Sequence, residues 1–195
     1  MRVSVIGFQG DVEEHVIALN KSANRLHLDC EILATRKADE IEESEAIVIP
    51  GGESTTISRL IFGDKISDII IRLANEGVPV MGTCAGLILL AREGDEQVEK
   101  TDTQLLGLMD VRVKRNAFGR QRESFQTRLN IKGIGEFDAV FIRAPAITEA
   151  ENGVDVLATV DEYVVAAKQD NILAFAFHPE LADDTKVHEY FLRMI

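Results

Sequence analysis

Across residues 2–90, short branched apolar runs alternate with stretches of helical period, and no other feature limits the fold as tightly. "RVSVIG" reads as a strand, and the segment after it sets Val12, Val16, Ala18, Leu19 and Ala23 near helical spacing. "CEILA" and "AIVIP" are further strands, and "ISRLIF" is helical. Residues 65–75 repeat the helical period through Ile66, Ile69, Ile70 and Leu73, with Gly77 as the C-cap. Residues 78–81 then suit a strand buried on both faces. From Ala85 the apolar residues run almost without a break, as in a helix packed deep in a core. Strands alternating with helices of this length imply a parallel sheet covered on both faces. Later in the chain, residues 111–114, Ser124–Ile131, residues 137–142, "VDVLATV", "YVVAAK" and "ILAFAF" are strands without intervening helices, and "TKVHEYFLRMI" closes as a helix. The expected architecture is α/β: one domain over residues 1–195, a doubly wound, mostly parallel sheet with some antiparallel strands on one side.

Charge and cysteine content narrow the function. A net charge of −12 argues against nucleic acid as a partner, and no apolar run reaches the roughly 20 residues that span a bilayer. Two cysteines, Cys30 and Cys84, make no disulfide framework, so a cytoplasmic location is expected. One basic stretch, "VRVKRNAFGRQR", gathers Arg112, Lys114, Arg115, Arg120 and Arg122. It reads either as a solvated hairpin or as an anion or partner site. A nucleic-acid surface ranks behind both, because Phe118 is the stretch's single aromatic.

Gly82-Thr83-Cys84-Ala85-Gly86 has the form G-x-C-x-G between a strand and a helix, the thiol version of the sharp turn that lifts a nucleophile clear of a sheet. A lone cysteine is more often a buried inert thiol, so a base is needed to decide. "AFAFHPEL" supplies one at the end of another apolar strand, where open α/β sheets place their sites. His178 and Glu180 are two apart, so in an extended segment both lean to the same side and Glu180 can orient the imidazole. His27 and His188 lie in polar stretches and read as surface residues, and His15 has no acid two positions away. An oxyanion would take the Ala85 N–H and a backbone N–H from Gly51 or Gly52 in "IPGGEST", where Ser54 or Thr55 is the expected N-cap. No G-x-G-x-x-G follows the first strand and no zinc spacing occurs, so neither a cofactor nor a metal is expected.

With these pieces assembled, the chain resembles the class I glutamine amidotransferase family, which combines a G-x-C-x-G turn with a late H-x-E. More narrowly it is similar to the branch of glutaminases that serve pyridoxal 5′-phosphate synthases. "GFQGDVEEH", "PGGESTT", "GTCAGLILLA", "RNAFGRQRESF", "FIRAP", "VAAKQ" and "FHPEL" match in the family's order over nearly the whole chain. The segment "RLHLDCEILATRKADEIEESEA" matches loosely, and "REGDEQVEKTDTQ" reads as a variable loop without chemistry.

The resemblance implies a flavodoxin-like fold, hydrolysis of L-glutamine, Cys84 as nucleophile, and His178 and Glu180 as the rest of a triad. It implies that Gly52, Glu53, Ser54, Arg115, Ile142 and Arg143 bind glutamine. It further implies a synthase partner in a large hetero-oligomer, activity that stays low until that partner docks, and Gln9 and Gly10 near the interface. Three rival readings remain: a glutaminase of a histidine, tryptophan or purine complex, a silent subunit of the same fold, and a thiol-based stress or chaperone protein on a related sheet.

Overall fold

A computed structural model describes residues 1–119 and 123–195. The strands in chain order are β1 (Arg2–Ile6), β2 (Glu31–Thr35), β3 (Ala46–Ile49), β4 (Val80–Thr83), β5 (Ala91–Gly94), β6 (Met109–Lys114), β7 (Ser124–Ile131), β8 (Gly135–Ile142), β9 (Ala146–Ala150), β10 (Asp155–Val160), β11 (Tyr163–Gln169) and β12 (Ile172–Phe175). The helices are α1 (Val12–Leu26), α2 (Ala38–Glu42), α3 (Ser54–Gly63), α4 (Ile66–Asn75), α5 (Ala85–Leu90), α6 (Glu96–Lys100) and α7 (Lys186–Leu192).

The main sheet runs β2-β1-β3-β4-β12-β11-β9-β6-β5, with β10 added against β11. β2, β1, β3, β4 and β12 are parallel neighbours, whereas β11 is antiparallel to β12, β9 and β10. The sheet is therefore parallel in one half and mixed in the other, as the alternation of strand and helix predicts. Every residue of β3, β4 and β12 is buried, which is why these strands read as unbroken apolar runs. β7 and β8 form a separate antiparallel hairpin in which exposed and more buried residues alternate. One contiguous core joins both halves, and its largest fully buried side chains include Phe137, Phe141, Phe175, Phe177 and Phe191.

Four local expectations are corrected. The apolar run from Ala85 is helical only to Leu90, after which 91–94 pair with β6 as a strand. A run buried on all sides carries no period that would mark this switch. The N-cap of α3 is Glu53, not Ser54 or Thr55: its carboxylate accepts the N–H groups of Thr55 and Thr56 at 3.2 and 2.7 Å. The acidic stretch after Ala91 is no plain loop, because it forms β5 and then α6, capped by the Asp95 carboxylate. At the end of α4, Glu76 is the C-cap and Gly77, at φ +97°, takes the left-handed position one residue beyond.

Candidate active site

Cys84 stands at the carboxyl end of β4 as the N-cap of α5, with φ +49° and ψ −102°. A non-glycine residue at positive φ is strained, and here the strain turns the chain sharply from strand into helix. The turn is pinned from the neighbouring strand, since Cys84 N–H donates to Phe175 C=O at 2.8 Å. The flanking glycines allow a close approach of backbones. A Cβ on Gly86 would meet the Ile49 carbonyl oxygen at 2.1 Å, and one on Gly82 would meet the Gly86 carbonyl carbon at 2.6 Å.

His178 follows β12, the neighbour of β4, so the topology alone carries it to the same edge of the sheet. Its backbone N–H donates to Val140 C=O at 2.8 Å, and the Cys84 Sγ lies 3.9 Å from the Ile142 carbonyl oxygen. The β7–β8 hairpin thus braces both groups. It is held there by aromatic packing: Phe125 and Phe141 stack at 4.5 Å, and Phe141 meets Phe177, next to His178, at 5.5 Å. His178 Nδ1 lies 2.7 Å from Glu180 Oε1. The segment is not extended, as the spacing suggested, because Pro179–Leu181 form a 3-10 turn, and that turn brings the carboxylate under the ring.

Burial by itself would lower the His178 pKa, but interactions with the Cys84 sulfur and the Glu180 carboxylate both favour the imidazolium and push it up to about 10. Burial raises the Glu180 carboxyl against the opposing pull of His178. A second acid, Asp11, places Oδ2 3.1 Å from His178 Nδ1. Asp11, His178 and Glu180 could in principle share a cation, their potential ligand atoms lying within 4.8 Å of one another. His178 and Glu180 are already hydrogen-bonded to each other, however, so the cluster reads as an oriented base.

A cleft of about 360 Å³ opens beside the sulfur. Its lining includes Gly52, Glu53, Ser54, Cys84, Ala85, Arg115, Ile142, Arg143 and His178, which the sequence nominated, together with Asp11, Ile88, Asn116 and Pro145, which it did not. Glu180 lies buried behind His178, and Gly51 is buried against its ring. Arg143 and Asn116, at φ +43° and +48°, share the cleft with Cys84, so three strained backbones converge there. Burial would raise the Glu53 carboxyl, yet hydrogen bonds from Thr56 and Thr55 hold it below its ordinary value. Arg115 reaches to 3.7 Å from Glu53, a charge pair at the mouth of the cleft. Ser54 Oγ is buried and has no hydrogen-bond partner among the described residues.

A model of the SNO glutamine amidotransferase family matches residues 5–195. The chain belongs to that family. It is 63% identical over 194 residues to "Pyridoxal 5′-phosphate synthase subunit PdxT" of Archaeoglobus fulgidus, covering 100% of this chain and 98% of the relative. It is 54% identical to the protein of the same name from Methanococcoides burtonii, with 98% of each covered. A solved structure titled "Crystal structure of glutamine amidotransferase" superposes with a TM-score of 0.87 at 40% identity, over 98% of this chain and 97% of that one. PurLQS from Thermotoga maritima, at a TM-score of 0.67 and 15% identity over 98% of this chain and 97% of that one, shares the fold.

Several residues around this cleft escaped the sequence reading. His188, expected at the surface, is fully buried, as is His15, whereas His27 is exposed as expected. α7 turns Val187, His188, Phe191 and Leu192 inward, and the polar residues between them hid that face. The segment dismissed as a variable loop braces the site, since Asp95 Oδ2 accepts the Arg115 N–H at 3.2 Å and Thr101 Oγ1 accepts from the guanidinium at 3.1 Å. The described cations of the basic stretch, Arg112, Lys114 and Arg115, have separate partners. Arg112 lies 3.9 Å from both Glu93 and Glu149, and the Lys114 ammonium sits 5.7 Å from the Tyr163 ring centroid. Arg115 faces the cleft, and Arg120 and Arg122 lie outside the described residues. Among the described residues no helix is long and apolar enough to cross a membrane.

Proposed function

We propose that the chain hydrolyses L-glutamine to L-glutamate and ammonia through a Cys84 thioester, and delivers the ammonia to a synthase partner that makes pyridoxal 5′-phosphate. The observation that carries this reading is the convergence of Cys84, His178 and Glu180, from β4 and the turn after β12, on one cleft of about 360 Å³. His178, its pKa pushed up to about 10 and its ring oriented by Glu180 at Nδ1, holds the proton it shares with the Cys84 sulfur, and the sulfur attacks the side-chain amide carbon of glutamine. N–H groups of Ala85 and of the Gly51-Gly52 loop receive the oxyanion. His178 returns the proton to the leaving nitrogen, and ammonia departs. A water deprotonated by the same ring then attacks the thioester, releasing glutamate and restoring the thiol.

Free glutamine carries an ammonium and a carboxylate, and the cleft offers opposite charges for both. Glu53 suits the ammonium, and Arg115 with Arg143 suits the carboxylate. Ser54 Oγ, buried without a partner, and the Ile142 backbone complete the pocket. Naming of the relatives as synthase subunits supports the partner, and the large hetero-oligomer and the Gln9-Gly10 segment as part of its interface belong to the same reading. Two free cysteines fit the reducing cytoplasm as its place of action.

The test is glutamate release by the parent chain and by Cys84→Ala, each with and without the synthase subunit. The reading requires that the variant lose turnover while keeping its fold and its docking. Turnover that persists in the variant rejects the mechanism, and a parent chain indifferent to the synthase rejects the partner.

A further inference from the structure

Behind Glu180 the buried polar groups do not stop. Glu180 Oε2 lies 3.2 Å from His15 Nε2, with both side chains fully buried. His15 Nε2 is also 3.0 Å from Thr83 Oγ1, and its Nδ1 is 3.0 Å from His188 Nε2. His188 Nδ1 is buried without a partner among the described residues, and Glu180 Oε2 has no well-aligned donor. Three elements therefore meet behind the triad: α1 brings His15, α7 brings His188, and β4 brings Thr83, directly before the nucleophile. Burial pushes both imidazoles to lower pKa, so both are neutral and each carries one N–H.

The tautomers follow by elimination. His188 Nδ1 lacks a partner among the described residues in either tautomer, so the choice is made at His15, whose Nε2 faces a carboxylate oxygen at 3.2 Å and so carries the proton. The His188 proton therefore sits on Nε2 and is donated to His15 Nδ1. The His15 proton on Nε2 is aimed at the Thr83 hydroxyl and stands close to Glu180 Oε2. The opposite assignment would turn a nitrogen lone pair toward a carboxylate oxygen 3.2 Å away.

We propose that His15, with its tautomer set by His188, is a positioning residue for glutamine hydrolysis: its Nε2–H holds the outer oxygen of Glu180 so that the inner oxygen stays ionised and aimed at His178. The inference rests on the triad reading above. A carboxylate buried this deeply favours its neutral form unless donors reach both oxygens, and a neutral Glu180 no longer supports an imidazolium at His178. His178 supplies the inner donor, and the His15 N–H, aligned on Thr83 Oγ1, stands 3.2 Å from the outer oxygen as a close polar contact. The charged or titratable groups facing this cluster are Glu180 from the turn after β12, His188 from α7, His178 as the next imidazole along, and Asp11 at the start of α1, whose carboxylate lies 3.1 Å from His178 Nδ1 and opposes the ionisation of Glu180.

The test uses two replacements that differ in where they put an amide. The terminal amide of Gln reaches the place of a histidine Nε2, and that of Asn the place of Nδ1. His15→Gln can therefore still donate to Glu180, whereas His15→Asn keeps only the contact with His188. Both variants, the parent and Cys84→Ala are assayed for glutamate release in the complex with the synthase subunit. Thermal unfolding and thiol titration fix the folded fraction of each. The expected result is a kcat lowered about 10- to 100-fold in His15→Asn, the range that loss of an outer hydrogen-bonding partner costs at metal-ligating residues. KM for glutamine should stay within about twofold, and His15→Gln should recover most of the loss. Equal kcat per folded molecule in the Asn and Gln variants, whether normal or reduced, overturns the proposal. If Cys84→Ala still turned over glutamine, the underlying triad reading would be what failed.

Discussion

A methyl group on Gly51 tests the geometry of the site more directly than removal of any reacting group. The Cβ of Gly51→Ala would stand 2.5 Å from His178 Cε1 and 3.0 Å from Nδ1. Ordinary contact begins near 3.4 Å, so ring and loop must part by about 0.9 Å. Neither yields freely. The ring is tied to Glu180 by a 2.7 Å hydrogen bond, and its backbone is tied to Val140. The loop is backed by Gly10, where a Cβ would lie only 1.7 Å from the Gly51 carbonyl oxygen. A catalytic group misplaced by about 1 Å loses on the order of 100-fold in rate, or about 2.7 kcal/mol of transition-state stabilisation. Overpacking costs about 1–3 kcal/mol of stability, and with about 2–4 °C per kcal/mol in a chain of this length the variant stays folded with a lowered Tm. Glutamate release in the presence of the synthase subunit, with thermal unfolding alongside, gives both numbers. A kcat within twofold of the parent would refute the argument, because it would mean that the imidazole need not stand where this backbone holds it.

Two further outcomes follow from buried groups. His188, with its pKa lowered to about 3, and His15, lowered well below its ordinary value, refuse protons that the unfolded chain accepts below about pH 6.5. Their contribution is intact above that pH and is lost progressively as the pH falls below it, for His188 down to about 3. Urea midpoints from pH 7.5 to 4.5 should therefore fall less steeply in His188→Gln than in the parent, and parallel curves would contradict this. Gly86→Ala would drive a Cβ to 2.1 Å from the Ile49 carbonyl oxygen, a backbone atom of a central strand. Loss at or beyond the upper end of the roughly 1–3 kcal/mol overpacking range is expected by denaturant titration, and a parent-like midpoint would count against the close packing of α5 on β3.

What the sequence disclosed was what its signals encode locally. The parallel half was legible because each strand and helix there has its own period, and the Cys84 turn because its glycines sit at fixed offsets. His178 and Glu180 were legible as a pair, although through the wrong geometry, since a 3-10 turn does what an extended segment was expected to do. The break at Leu90 was hidden because a wholly buried run has no polar face to mark a period. His188 was hidden because its neighbours in sequence are polar while its neighbours in space are His15 and the core. The bracing of Arg115 by Asp95 and Thr101 joins segments whose acidic composition suggested only solvent.

The strained backbone at Cys84 sets catalysis and durability against each other. A residue held at φ +49° costs the fold of order 1–3 kcal/mol, a sizeable share of the margin by which a domain of this size stays native. Surrounding packing, above all the glycine contacts of α5 and the aromatic stack of the hairpin, has to overdetermine the kink for it to persist. Selection for a hardier chain alone would relax this turn first, and an enzyme of this kind keeps its reactivity by remaining less stable than its own core would permit.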